Sequence, residues 1–412
     1  MSSVWGFLRR NYLIFNPPVA PKQDGAIRFG ILGAARIAPV ALIIPAISHG
    51  EVVVQSVAAR DRTKAAAFAA KHGVPDVKDS YQAVIDDPSI DAVYIPLPNG
   101  LHYEWALKAL QAGKHVLLEK PSVSNAREAE ALFGLPLLKG PDAPVLLEAF
   151  HYRFQPSWQF FLTLVDRDSV EHVKTSGRMP WFMTTGDRDI RFQYGLAGGA
   201  LMDLGTYCVS GIRQTFGREA EECLEARFET MPAPEERTDY AWRIVWRMKG
   251  GGTAETEGGL RAASLNFGVP RLSVSHKAAV VEDPKLPPGQ AKTRKRRIEF
   301  ENFMLGGVWH RIDVEDEFVI KSTQTGEVVR RWTEKTARKT YTFEEAGLEG
   351  KGTGEEWWLT YRHQLEQFVN RVKGRETGVW VDGEDSINQM RMIDMAYEKA
   401  GLPVRRSPGV TS

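Results

Sequence analysis

From Ile27 onward the chain alternates short apolar runs with stretches of helical spacing. "AIRFGILGAARIAPVALIIPAIS" opens with Ile27 to Leu32, the length of a buried strand, and passes at once into a helical pattern. "EVVVQSVAARD" is a second apolar strand, followed by the Ala-rich helix "RTKAAAFAAKHG", which Gly73 ends, and by the helix "SYQAVIDDP". "DAVYIPLPNG" (strand), "LHYEWALKALQAGK" (helix), "HVLLEKP" (strand), "SNAREAEALF" (helix, capped by Ser124) and "PVLLEAF" (strand) complete the series. Continuous apolar strands separated by helices are βαβ units. They predict an α/β domain over residues 26–152 with a doubly wound parallel sheet.

After Arg153 the period changes. "LEARFETM", "YAWRIVWRMK", "TAETEGGL", "RLSVSHKAAVVE" and "RIEFENFML" alternate polar and apolar residues, often with a period of two. That pattern predicts a large open, mostly antiparallel sheet with one covered face. Two helices close the chain. Glu356 to Lys373 carries an apolar stripe of Trp358, Leu365, Phe368, Val369 and Val372, and Ser386 to Ala400 ends before Gly401. Residues 153–412 therefore read as an α+β domain, with Glu148 to Arg153 as the hinge. Residues 1–25 form a basic, amphipathic arm linked by Pro17, Pro18 and Pro21. The expectation is an arm packed on the body or on a partner subunit, with a transit peptide as the alternative.

Composition narrows the function. A chain of 412 residues suits two domains. A net charge of +1 supplies no field for nucleic acid or acidic lipid. The basic run "KTRKRR" (Lys292 to Arg297) reads as a solvated strand entry. Two cysteines, Cys208 and Cys223, fit a reducing compartment, and a cytoplasmic location is expected. Neither CxxC nor HExxH occurs, so no metal is expected, and no unbroken apolar window is long enough to span a membrane.

Five stretches carry chemistry. In "GILGAARIA", Gly33, Ala35 and Ala38 take the places of the G-x-G-x-x-G glycines, where a tight turn and small residues admit a pyrophosphate. Arg36 flanks that turn. "SVAARDRTK" ends the second strand with Arg60 and, one turn on, Lys64. NAD-binding units usually carry an acid there, whereas a guanidinium suits the 2′-phosphate of NADP. "PLPNGLHYEW" leaves a strand at the ligand edge, with Pro96, Pro98 and Asn99 stiffening the loop and His102 at the helix start. Glu119-Lys120-Pro121 leaves the next strand. Lys120 is there either a partner for Glu119 or a cation beside the nicotinamide that lowers the pKa of a nearby hydroxyl, and Pro121 is a candidate for a cis bond. "LAGGALMDLGTYC" sets Asp203 and Tyr207 four apart on one helical face behind Gly198-Gly199.

Together these residues resemble the glucose–fructose oxidoreductase/inositol dehydrogenase (Gfo/Idh/MocA) family, from Ile27 to Pro403. The marks are Gly33-Ala34-Ala35, Glu119-Lys120-Pro121, "EAFHYRF" and "GGALMDLGTY", and the nearer match is to NADP-dependent D-xylose dehydrogenases and dimeric dihydrodiol dehydrogenases. Where many members end the last motif in His, this chain has Tyr207. The resemblance implies a Rossmann domain and an NADP site of Gly33, Ala34, Ala35, Arg36, Ile37, Arg60, Lys64, Pro96, Leu97, Asn99, His102, Glu119 and Lys120. It implies catalysis by Lys120 and Tyr207 with Asp203, the Lys120 cation bringing Tyr207 toward its working range. His102, Arg153, Trp181, Asp203 and Tyr207 would meet the substrate, with Phe150 to Arg153 lining the crevice. Trp181 or Phe182 would stack on a sugar, and Arg188, Asp189 or Arg191 would bind its hydroxyls. The function implied is oxidation of a cyclic aldose, D-xylose first, at C1 to the lactone by a homodimer. A dihydrodiol dehydrogenase, a dicarbonyl-sugar reductase and a non-catalytic NADP sensor are the alternatives.

Overall fold

The computed structural model describes residues 4–263 and 268–408. Its first sheet holds β1 (Ile27–Leu32), β2 (Val52–Ala58), β3 (Asp76–Val77), β4 (Ala92–Ile95), β5 (His115–Leu118) and β6 (Leu146–Glu148). The order is β3-β2-β1-β4-β5-β6, and every pairing is parallel. All four residues of β4 are buried, as a strand covered by helices on both faces must be. The order reverses between β1 and β4, so their carboxyl ends part and open a crevice.

Local signals account for several of the helix ends. Asp61 accepts hydrogen bonds from the amides of Thr63 and Lys64 and starts the helix Arg62–His72, which Gly73 ends at φ +70°. Such a cap contributes about 1 kcal/mol. The helix Ala126–Phe133 is capped by Asn125, not by Ser124: Asn125 accepts from the Glu128 amide at 3.0 Å. The Ser124 hydroxyl is engaged elsewhere, 2.9 Å from Ser407 Oγ.

The second sheet holds β7 (Val170–Pro180), β8 (Ala220–Thr230), β9 (Asp239–Met248), β10 (Thr253–Ala262), β11 (Arg271–His276), β12 (Ala279–Val280), β13 (Gln290–Glu301), β14 (Arg311–Ser322) and β15 (Val328–Arg338). Its order is β15-β14-β13-β11-β7-β10-β9-β8, with β12 on β13. β7 and β10 pair in parallel; the other pairs are antiparallel. Lys292 to Arg297 lies inside β13 rather than ahead of it, with Arg296 doubly bonded to Asp316 of β14. β15 escapes the apolar pattern because nearly all of its side chains are exposed. On the covered face, Trp158 and Phe161 meet the Phe300 ring at 6.2 and 5.4 Å. The open face carries ion pairs, among them Lys174–Glu255, Arg243–Glu255 and Arg178–Glu257.

The closing helices are Thr360–Val372 and Gly383–Lys399. The first begins four residues later than its apolar stripe suggests, because residues 356–357 form a turn. It packs on the first sheet, with Phe368 5.6 Å from Phe29 of β1. The arm is a helix, Val4–Phe15, that buries Arg10 and Ile14 against the body. The Arg10 guanidinium lies 3.6 Å from the centre of the Tyr341 ring.

Candidate active site

The turn after β1 requires its glycine. Gly33 has φ +116°, and a Cβ there would lie 3.1 Å from Leu97 Cδ2. Ala34 and Ala35 are half-buried beside it, while Arg36 and Ile37 are exposed. Past β2, Arg60 and Lys64 are also exposed, and Lys64 lies 4.0 Å from Asp61. A small-residue turn at the switch point with exposed basic side chains at the next strand end fits a dinucleotide carrying a 2′-phosphate.

A crevice runs along the ends of β4 and β5. One wall is Pro96, Leu97, Pro98, Asn99, Glu119 and Lys120; the other is Ile190, Arg191, Leu196, Gly198, Gly199 and Asp203. Asn99 Nδ2 spans the two, donating to the Ala197 carbonyl at 3.1 Å. The facing wall is held by its glycines. A Cβ on Gly199, at φ +148°, would meet Asp239 Oδ1 at 2.4 Å and Tyr397 Oη at 2.8 Å. Behind it, Arg405 Nη2 and Tyr397 Oη donate to Asp239 Oδ1 at 2.5 and 2.8 Å, and Arg405 Nε donates to the Gly198 carbonyl at 2.6 Å. Asp239 Oδ2 accepts from the Leu201 amide at 2.8 Å, which fixes the turn leading to Asp203. Sequence reading missed this cluster: "PVRRSP" has no period, and Arg405 reaches Asp239 only through the fold.

Lys120 reaches across the crevice. Its Nζ donates to Asp203 Oδ1 and to the Asp203 carbonyl, both at 2.9 Å. Arg191 Nε donates to Asp203 Oδ2 at 2.8 Å, and Arg191 Nη1 lies 3.1 Å from Asp189 Oδ1. Burial pushes the Asp203 carboxyl up, but Lys120 and Arg191 outweigh it and hold the group at about 2. Glu119 turns away from Lys120 Nζ and accepts from Tyr94 Oη at 2.7 Å. Burial raises Glu119 against the opposing pull of Lys120 and that hydrogen bond. The Lys120–Pro121 bond is cis.

Tyr207 stands behind this pair, a π-helical turn (Leu201–Gly205) placing it in the helix Thr206–Phe216. Lys120 Nζ sits over its ring, 4.9 Å from the centre. The hydroxyl lies 2.9 Å from His151 Nε2. Burial raises the Tyr207 phenol well above its usual range, with Tyr361, Glu119 and Asp203 adding to the rise. The expected lowering by Lys120 is therefore not found: the cation meets the ring face rather than the oxygen, and the phenol is buried.

Three expected contacts lie elsewhere. His102 is 0% exposed, its ring nitrogens 2.8 Å from the carbonyls of Pro121 and Leu97. It braces the two crevice loops and has no face toward a ligand. Burial pulls its pKa to about 4, against the two carbonyls. Arg153 is buried in an ion pair with Asp385, and Phe150, His151 and Tyr152 are buried with it. Trp181 and Phe182 are exposed on a surface turn that does not line the crevice with Lys120. Arg188 is exposed. Asp189 is buried, capping the turn Ile190–Phe192. A larger concavity, ≈ 600 Å³, lies on the open face of the second sheet, away from these residues, lined by Arg178, Tyr240, Trp242 and Arg261 among others.

Comparison with known proteins agrees with this architecture. Residues 27–135 match the model of the GFO_IDH_MocA oxidoreductase family, NAD-binding Rossmann fold. The chain is 31% identical to D-xylose 1-dehydrogenase (NADP(+)) 2 of Haloferax volcanii, over 90% of this chain and 97% of that one. It is 34% identical to trans-1,2-dihydrobenzene-1,2-diol dehydrogenase of Xenopus laevis, over 49% of this chain and 60% of the relative. Its fold matches a 3-ketoreductase from Actinomadura kijaniata, solved with NADP and TDP-benzene, with a TM-score of 0.66 at 20% identity, over 91% of this chain and 98% of that one. It also matches a levoglucosan dehydrogenase, with a TM-score of 0.67 at 19% identity, over 91% and 97%. The end-to-end likeness to the Haloferax enzyme, carried on this fold, places the chain in the Gfo/Idh/MocA family of oxidoreductases.

Proposed function

We propose that this protein is an NADP-dependent dehydrogenase that oxidises a cyclic aldose at C1 to the lactone, with D-xylose as the first substrate to try. The observation that carries the reading is Lys120. Its ammonium lies at the carboxyl end of a parallel strand, bound to Asp203 of the facing wall and stacked on Tyr207. The exposed Arg60 and Lys64 support NADP over NAD, and the name of the Haloferax relative supports both cofactor and sugar.

Bound at the Gly33 turn, NADP would supply the hydride acceptor. The chain's own residues do the rest. Asp203 and Arg191 offer an acceptor and a donor to sugar hydroxyls at the crevice wall. Lys120 presents a positive charge that favours the substrate oxygen as it loses its proton. Tyr207 exchanges that proton. The loops at Pro96–Asn99 and Gly198–Gly199 bound the crevice that would hold the sugar.

One observation favours a second reading. A phenol that rests protonated is suited to giving its proton to a carbonyl, which fits a reductase of a dicarbonyl sugar or the diol chemistry named for the Xenopus relative. Purified protein with NADP and a panel of aldoses and dihydrodiols, followed at the absorbance of NADPH, separates the two. NADPH formation from an aldose supports the first reading. Turnover only with NADPH and a dicarbonyl sugar replaces it with the second. Tight NADP binding with silence on every substrate leaves a sensor. Assembly as a homodimer through the open face of the second sheet belongs to the same proposal, and light scattering of the purified chain tests it.

A further inference from the structure

His151 lies directly behind Tyr207, buried in the turn His151–Phe154. Its Nε2 is 2.9 Å from the Tyr207 hydroxyl and its Nδ1 is 2.8 Å from Thr360 Oγ1. The Tyr361 ring packs on it at 4.0 Å. A ring held at both nitrogens and on one face has a single orientation, and its two hydroxyl partners, each able to donate or accept, suit either neutral tautomer. Burial first, and then the Lys120 charge, pull His151 to about 3, so the ring rests neutral with one nitrogen free to accept.

Tyr207 needs such an acceptor. A buried phenol cannot hold a negative charge cheaply, so it takes a substrate's proton only if it passes its own onward. The groups facing His151 are Lys120 from the β5 end, Tyr207, and Thr360 and Tyr361 from the helix Thr360–Val372. Lys120 is a donor. Tyr361 is itself raised well above the usual phenol range by burial. Nε2 is therefore the best acceptor within reach of that hydroxyl.

We propose that His151 is the relay partner of Tyr207, a role that rests on the dehydrogenase reading above. The substrate O–H proton passes to the Tyr207 oxygen as the phenol's proton passes to His151 Nε2. The carbinol carbon is oxidised to the carbonyl level, its C–H electron pair leaving as hydride to the cofactor. Nδ1–H stays on Thr360 Oγ1. No phenolate persists, and the imidazolium, which burial and the Lys120 charge both disfavour, is short-lived and returns its proton by the same route. His151 touches neither substrate nor cofactor; it acts through Tyr207.

The test uses the full chain with NADP bound. Nitrogen NMR of histidine-labelled protein is expected to show Nε2 unprotonated and Nδ1 protonated, with the Nε2 signal moved by Tyr207→Phe. A protonated Nε2, or a signal indifferent to that change, overturns the relay. This arm needs no sugar. In single-turnover NADPH formation from D-xylose, the wild-type rate is expected to fall along a curve as the deuterium fraction of the solvent rises, the mark of two moving protons. His151→Phe is expected to be about tenfold slower or more, with a linear dependence, and His151→Gln to recover part of the rate. Wild-type rate and curvature in both variants overturn the proposal. If His151→Phe does not bind NADP, His151→Gln carries the comparison. Absence of NADPH formation by the wild type from D-xylose and every other aldose would instead remove the dehydrogenase reading itself, which keeps the two failures apart.

Discussion

The wall that rises from the first sheet positions its groups through backbone. Gly33 turns where a side chain would strike Leu97, Pro96 and Pro98 stiffen the loop beside it, and His102 is held between two carbonyls. Lys120 reaches across from that wall to Asp203. The facing wall positions its groups through charge instead: Asp189, Arg191 and Asp203 form a chain that ends on Lys120, and Arg405 with Asp239 anchors the glycines beneath it. The first wall suits a fixed cofactor common to many substrates. The second offers hydroxyls a carboxylate whose two oxygens are held by two different cations, Lys120 on Oδ1 and Arg191 on Oδ2.

The comparison breaks most visibly at the proton. Lys120→Ala and Tyr207→Phe are each expected to lower kcat about 10²- to 10⁴-fold while NADP affinity, read by fluorescence titration, stays close to wild type. Loss of binding in step with kcat would assign both residues to the cofactor wall. Next in size is the anchor. Arg405→Ala leaves Asp239 buried without its cation, at a cost of about 3–5 kcal/mol, seen as a lower denaturation midpoint. An unchanged midpoint would mean that the facing wall is held by other contacts.

The acid side follows from the buried histidines. Burial depresses His102 and His310 to about 4, and His49, His151 and His363 to about 3. Below the unfolded value near 6.5 the unfolded chain binds protons that these rings refuse, so stability falls as pH drops from about 6.5 toward 4. Burial raises Glu148 and Asp394 to about 7, which works the other way over the same range. The histidines are the more numerous, so the melting temperature is expected to decline between pH 6.5 and 4.5. A rise over that interval would show that the buried acids dominate.

A smaller effect is expected at the cofactor's far end. Arg60→Ala removes a charge-assisted contact worth about 1.5–3 kcal/mol, so the preference for NADP over NAD should fall about tenfold or more. An unchanged ratio would leave Lys64 or Arg36 as the phosphate partner. Least of all, Arg331→Ala on the open face, where Arg331 pairs with Glu317 at 3.4 Å between exposed side chains, should change stability by no more than about 1 kcal/mol.

The two walls also differ in how far they can be read from sequence. The strands of the first sheet are apolar runs bounded by helices, so its parallel, doubly wound character and the loops at its edge follow from period and turn residues. Lys120, Asp203 and Tyr207 were legible because their motifs sit at strand and helix ends. The partners that give them meaning were not. Asp239 and Arg405 are 166 residues apart, and Arg153, which looked like a crevice residue, turns to Asp385 instead. His102 misled for a related reason: a histidine at the ligand edge reads as a ligand contact until its two carbonyl neighbours are seen. The edge strand β15 left no pattern because solvent, not packing, chose its side chains.

The central claim is that Lys120 and Tyr207 form a proton-transfer site beside bound NADP. The most direct measurement is the single-turnover rate of NADPH formation from D-xylose in wild-type protein and in Tyr207→Phe, each saturated with NADP. The account expects a rate in the wild type and a loss of at least about a hundredfold in the variant with NADP still bound. Equal rates in the two would contradict it.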